Sequence, residues 1–188
     1  MNTITGFDDK TNGWNKAVVQ RLGGVARADA LLRGELTVSE KSPRVLFVDR
    51  SVKPAYPDFA KELPKETREL EATGLEQYDP STLPLYLHPK QKNGGQFEGN
   101  SLYAFLKGSG LIEHCLSLRD GEELVKHPAC YPESWKGKYV FLWKSVVLHR
   151  DGRLLVPYVN WDDGEVYLSW RWLGNDWYDF IPAALSAS

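Results

Sequence analysis

The clearest hydrophobic pattern lies near the carboxyl end of the chain, where apolar runs alternate with Asp-Gly turns. A strongly apolar run covers 138–148, a second covers 154–161 and a third covers 166–172. The segments between them contain Asp-Gly, the commonest short signal for a two-stranded hairpin. The pattern therefore predicts an antiparallel β-meander, and the first strand, apolar on both faces, is expected to be central and covered on both sides.

Helical patterns are shorter. A helix is predicted over 102–107, because Asn100 and Ser101 are suitable N-cap residues and Gly108 follows. Another is predicted over 120–126, which has an acidic first turn. We expect both helices to pack on one face of the meander. A charged helical stretch covers 61–72.

Near the amino end, apolar residues at helical spacing predict two helices between positions 14 and 33, joined at Gly23-Gly24. The predicted fold class is therefore α+β, a C-terminal antiparallel β-meander packed against short helices, with a small helical N-terminal lobe. We divide the chain into a helical lobe or appendage at 1–40, a connecting segment at 41–70 and an α+β domain at 71–188.

Amino-acid composition and net charge narrow the classes of partner and the cellular location that we expect for the protein. The 188 residues are 42% hydrophobic and 26% charged, with 23 Lys and Arg against 25 Asp and Glu. The net charge of −2 gives no broad basic field, so nucleic acid and anionic membranes are disfavoured as partners. With no signal-like start, no apolar run of bilayer length and only two cysteines, we expect a soluble cytoplasmic protein with reduced thiols.

Several segments resemble a family of uncharacterised proteins from small-genome symbiotic bacteria known from environmental sequencing. The similar segments include Cys115–Asp120, Gly137–Val147 and Trp170–Leu173, together with Glu71–Gly74. The resemblance implies that 71–188 forms one unit. Because no activity is known for that family, it transfers no functional residue.

Three residues are candidates for catalysis. Cys115 could act as a nucleophile beside a histidine such as His88 or His149, with Asp120 orienting that histidine. Lys144 occupies an apolar strand, where an ammonium group is costly unless it is paired, so it is either a functional amine or the partner of a carboxylate such as Asp176 or Asp179.

Two His and two Cys lie between positions 114 and 130, but their spacing is unlike that of structural zinc sites, so we predict no metal and no cofactor.

Aromatic residues near two turns are candidates for binding. Trp161 precedes an acidic turn, and the segment after the third strand contains Asp176, Trp177 and Tyr178. Rigid aromatic side chains beside carboxylates suit a protein partner or a cationic ligand. We therefore predict that Trp161 and Trp177 are partly exposed and lie near one another on an aromatic-acidic rim.

The favoured function is a non-catalytic binding protein that uses this rim to contact another protein or a cationic small ligand. The alternative is a small hydrolase or transferase that uses His88, Cys115 and Lys144. A third is DNA binding through the N-terminal helices, although no recognition helix follows them. The first two differ in whether the three catalytic candidates converge on one pocket.

Overall fold

The secondary structure is mixed, with short helices around one main sheet. The structure is a computed structural model that describes Arg33 and residues 44–186, so the helices predicted in 1–40 lie outside the described residues. The helices are α1 (Lys65–Leu70), α2 (Gly99–Gly108) and α3 (Leu118–Lys126). The strands are β1 (Leu46–Phe47), β2 (Ala60–Glu62), β3 (Gln77–Tyr78), β4 (Leu85–Tyr86), β5 (Phe97–Glu98), β6 (Val140–Phe141), β7 (Val147–His149), β8 (Leu154–Asp162), β9 (Glu165–Trp172), β10 (Asp176–Trp177) and β11 (Ala183–Ala184).

The main sheet is built around the long hairpin of β8 and β9. These strands pair antiparallel from Leu155 opposite Trp172 to Asp162 opposite Glu165. Strands β6 and β7 pair antiparallel with β8, and the order across the sheet is β2-β7-β8-β6-β11-β4. The predicted meander and the α+β class are confirmed. No helix in the described part of the chain is both long enough and apolar enough to cross a bilayer.

The prediction of one continuous strand over 138–148 is wrong. The segment forms β6, then the 3-10 turn Trp143–Ser145, and then β7. The turn is fixed by polar contacts, since the Ser145 hydroxyl accepts a hydrogen bond from the backbone N–H of Leu118 at the start of α3 (2.6 Å). A straight strand would have carried these residues past that contact.

The two predicted helices lie on opposite faces of the sheet, so the prediction that they share one face is wrong. Val140 and Leu142 pack in one buried cluster with Leu124 of α3. Their neighbour Phe141 packs in a second cluster with Leu102 of α2. Successive residues of a strand point to opposite faces, so the sheet has a core on each side. The prediction that β6 is covered on both sides is confirmed.

Residues 46–70 pack into the core of the domain that follows them. Leu46 and Val48 are buried in the α3-side cluster. Strand β2 pairs antiparallel with β7, and the Thr67 hydroxyl of α1 donates to the carbonyl of Val146 (2.5 Å). This part of the chain therefore belongs to the same core as the residues that follow it, and it brings Arg50 and Glu71 to the interior.

Candidate functional site

A buried ion pair lies where the segment after β1 crosses the start of α3. The guanidinium of Arg50 donates two hydrogen bonds to Asp120, from Nη1 to Oδ2 (2.9 Å) and from Nη2 to Oδ1 (2.7 Å). The two side chains are only 8% and 1% exposed. A two-point contact of this kind is the strongest arrangement for an arginine and a carboxylate.

Asp120 also accepts hydrogen bonds from uncharged donors. Ser117 donates its backbone N–H and its hydroxyl to Oδ2 (2.8 Å each), which forms a capping box at the start of α3. The Tyr78 hydroxyl donates to Oδ1 (2.7 Å). Burial and the Asp120 charge raise the pKa of Tyr78, so the phenol stays a neutral donor. Asp120 is thus fully compensated by its surroundings.

Glu71, directly after α1, is a buried carboxylate with a different environment. Its Oε2 accepts hydrogen bonds from the hydroxyls of Tyr56 (2.8 Å) and Ser145 (2.5 Å). Its Oε1 is buried and has no hydrogen-bond partner. Burial raises the pKa of Glu71 against the opposing effect of the two hydroxyl donors, and the nearby Asp120 charge raises it further. Glu71 therefore binds a proton more readily than a solvent-exposed glutamate does.

Lys144 completes this group, which we call the charged cluster: Arg50, Glu71, Asp120 and Lys144. Lys144 is 2% exposed and its Nζ lies 3.3 Å from the carbonyl oxygen of Thr73. Burial lowers its pKa, and the Asp120 and Glu71 carboxylates oppose that shift. The carboxylates near Lys144 are Asp120 and Glu71, and not the suggested Asp176 or Asp179, because its turn directs it to the start of α3.

Gly74 lets the backbone approach the two cations closely. Its φ of +125° lies outside the range that L side chains normally adopt. A methyl group added there would stand 3.0 Å from Nη2 of Arg50 and 3.4 Å from Nζ of Lys144. Glycine at 74 therefore gives room for both buried cations.

A cavity of about 380 Å³ lies beside the charged cluster, and we call it the Glu71 cavity. Part of its lining is apolar and comes from Val52, Pro54, Leu63 and Ala72, with the ring of Tyr56. The charged part of the lining is Arg50, Lys53, Arg68 and Glu71. The charge of Arg50 is balanced by Asp120. Lys53 and Arg68, set against one carboxyl with a raised pKa, therefore give this cavity a positive character.

The three predicted catalytic residues are not assembled into one site. His88 lies between the rings of Phe97 (4.3 Å) and Phe105 (4.6 Å), and its Nδ1 accepts from the backbone N–H of Lys90. Cys115 is buried in the α2-side cluster, and burial raises its pKa to about 12. None of the three, Lys144 included, lines the Glu71 cavity, although Cys115 lies close enough to Lys144 to interact electrostatically.

The predicted proximity of the two tryptophans and the predicted exposure of Trp177 are wrong, whereas the partial exposure predicted for Trp161 is confirmed. Trp177 is fully buried, packs against Phe141 (5.3 Å) and Trp143 (5.7 Å), and belongs to the α2-side cluster. Trp161 is half-buried against the α3-side cluster, with the ammonium of Lys136 4.2 Å from the centre of its ring. Because the clusters occupy opposite faces of the sheet, the two indoles cannot form one rim.

The remaining rim candidates, Tyr178 and Asp176, have structural partners. Asp176 pairs with Glu98 in the short ladder of β10 and β5, and its carbonyl accepts from Arg171 (3.0 Å). Tyr178 is half-buried and stacks on Phe180 (5.8 Å, 10° between ring planes). These contacts hold the strand that buries Trp177.

Arg50, Tyr56, Asp120 and Glu71 were not selected together from the sequence. The one local signal was the capping-box spacing of Ser117 and Asp120, which marks the start of α3. The other contacts join residues that are 15 positions apart (Tyr56 and Glu71) to 74 positions apart (Glu71 and Ser145), and no spacing rule predicts them.

Within residues 44–186, no group of three or more His, Cys, Asp and Glu side chains is placed to hold a metal ion. Cys115 and Cys130, two of the residues considered for zinc, are both free thiols. No family model matches the chain, and no curated protein and no solved structure matches it either.

Proposed function

We propose that this protein is a non-catalytic binding protein whose ligand is a small organic anion with an apolar body, held in the Glu71 cavity. The observation that carries the proposal is the lining itself: Arg50, Lys53 and Arg68 beside apolar side chains. Ligand pockets are typically 300–1,000 Å³, mostly apolar, with a few polar groups that orient the ligand, and this cavity has that size and character.

Charge sets the ligand class. A cationic ligand would be repelled by Lys53 and Arg68, whereas an anion gains charge-assisted hydrogen bonds from them. The cationic ligand expected from the aromatic-acidic rim therefore has less support than an anion. The free thiols are compatible with the cytoplasmic location that forms part of the proposal.

The test compares three probes with the same ring and different head groups: benzoate, benzyl alcohol and benzylammonium. Isothermal titration calorimetry on the full chain should show binding of benzoate and at least tenfold weaker binding of the other two. The expected ratio corresponds to about 1.4 kcal/mol or more for the loss of charge-assisted contacts. Equal affinity for benzoate and benzyl alcohol, or preference for benzylammonium, would refute the proposal.

Two variants of α1 locate the site. Arg68 lines the cavity and is exposed, so Arg68→Gln should fold normally and weaken benzoate binding several-fold. Lys65→Gln is the matched control, because Lys65 is on the same helix, is 78% exposed and does not line the cavity. Equal loss in both variants would place the benzoate elsewhere.

A further inference from the structure

The two oxygens of the Glu71 carboxyl have distinct roles. Oε2 already accepts the hydroxyl hydrogens of Tyr56 and Ser145, whereas Oε1 is buried with no partner. Burial and the Glu71 charge raise the pKa of Tyr56, so its phenol remains a donor to Oε2. A proton on this carboxyl therefore belongs on Oε1, where it forms a donor with no protein acceptor.

Charged and titratable groups face Glu71 from each element packed around it. They include Asp120 and Glu122 of α3, Arg50 and Tyr56 of the segment after β1, Lys144 of the 143–145 turn, and the cavity-lining Lys53 and Arg68. The backbone N–H of Arg119 in α3 also faces the Glu71 carboxyl and acts to lower its pKa. Asp120 is paired with the guanidinium of Arg50, and the side chains of Arg119 and Glu122 pair with each other (2.9 Å). Glu71 is the carboxyl that lines this cavity. An arriving ligand therefore changes the protonation of Glu71 more directly than that of Asp120 or Glu122.

We infer that an organic anion enters the Glu71 cavity together with one proton, which is held on Oε1 of Glu71. This inference rests on the proposed function. Two carboxyl groups confined in one site do not both ionise, because the second charge is repelled by the first. The proton comes from solvent, no covalent bond forms or breaks, and protonation of Glu71 removes the repulsion between its carboxylate and the bound anion.

The inference fixes the direction of the pH dependence. If bound protein carries one more proton than free protein, the association constant falls as pH rises, by about tenfold per pH unit across the interval between the free and bound pKa of Glu71. Below that interval both states are protonated and the affinity levels off. A ligand recognised only by the arginines and the lysine would show no such fall near neutral pH, because those cations do not titrate there.

The experiment counts protons directly. Benzoate is titrated into the full chain at pH 6, 7 and 8, in pairs of cationic buffers that differ in ionisation enthalpy. The dependence of the observed heat on buffer gives the number of protons taken up, and we expect about one per benzoate at the pH where affinity falls steeply. Benzyl alcohol, the neutral probe, should take up none.

Two variants assign the proton. Glu71→Gln keeps an acceptor for the Tyr56 and Ser145 hydroxyls and a donor at the second position, so it should bind benzoate with no proton uptake and with affinity independent of pH. Glu69→Gln is the matched control, since its side chain is 62% exposed on α1 and pairs with Lys65. It should retain the wild-type proton count.

The outcomes separate the two proposals. Benzoate binding by the wild type without proton uptake overturns the proton inference and leaves the anion-binding function standing. Proton uptake that persists in Glu71→Gln overturns the assignment to Glu71. Failure of the wild type to bind benzoate at every pH overturns the proposed function and the inference that rests on it. The wild-type proton count is decisive even if the glutamine variant does not fold.

Discussion

Asp120→Asn is the perturbation that tests the charged cluster most severely. The substitution keeps the shape of the side chain and removes its charge. Asp120 is 1% exposed and accepts two hydrogen bonds from Arg50, two from Ser117 and one from Tyr78. An asparagine has one oxygen, so its amide NH₂ must face one of these sets of donors.

The expected loss of stability is set by the charged groups that stay buried after the substitution. Removing one partner of a buried ion pair costs about 3–5 kcal/mol, because the other charge remains buried without compensation. Here the remaining charge is Arg50, which is 8% exposed, and the buried Lys144 also loses a favourable interaction. We therefore expect the free energy of unfolding to fall by about 3–5 kcal/mol.

Urea denaturation followed by tryptophan fluorescence measures this loss. With a slope near 2 kcal/mol per molar urea, the midpoint should fall by about 1.5–2.5 M. Asp162→Asn, at an exposed turn, is the control and should change stability by no more than about 0.5 kcal/mol. In Arg50→Met/Asp120→Asn the loss should be smaller than the sum of the two single losses. A loss below about 1 kcal/mol in Asp120→Asn, or additive losses, would refute the view that Arg50 depends on this carboxylate.

Three further predictions concern packing and reactivity. Trp177→Ala should cost about 3–5 kcal/mol in the same urea assay, and the half-buried Trp161 should cost less than half of that when truncated; similar losses would contradict their assigned burial. Gly74→Ala should cost about 1–3 kcal/mol because of its positive φ and the neighbouring guanidinium, whereas Gly108→Ala, at a position with open space, should not destabilise. Iodoacetamide at pH 8 should leave native Cys115 unmodified by mass spectrometry, because burial raises its pKa to about 12, and rapid modification in native buffer would contradict this.

The fold was accessible from the sequence where contacts are local. The β8–β9 hairpin joins consecutive apolar runs through a short turn, and both its strands and its turn were predicted within a residue or two. The helix at Leu118–Lys126 was marked by its acidic first turn. In each case the decisive interaction lies within about ten positions along the chain, where periodicity and turn residues carry the information.

The errors arose where a distant residue overrode a local pattern. The apolar run at 138–148 reads as one strand, yet Ser145 turns away to meet the amide of Leu118 and the carboxyl of Glu71. Trp177 follows a glycine-containing turn and so reads as exposed, but β10 pairs with β5 and places the indole in the core beneath α2. Neither the contacts of Ser145 with Leu118 and Glu71 nor the pairing of β10 with β5 can be identified from the residues adjacent in sequence.

The two buried carboxyls, Asp120 and Glu71, differ in how well their surroundings compensate the charge. Asp120 is explained by structure alone, because it holds Arg50, caps α3 and accepts the Tyr78 hydroxyl. Among the groups that act most strongly on Glu71, none is a cation, and one of its oxygens has no partner. Glu71 accepts the Tyr56 and Ser145 hydroxyls, but it lacks the two-point cationic partner that compensates Asp120. Because Glu71 also lines a cavity bordered by Arg50, Lys53 and Arg68, its protonation state and the neighbouring positive charges act together on an anion held there.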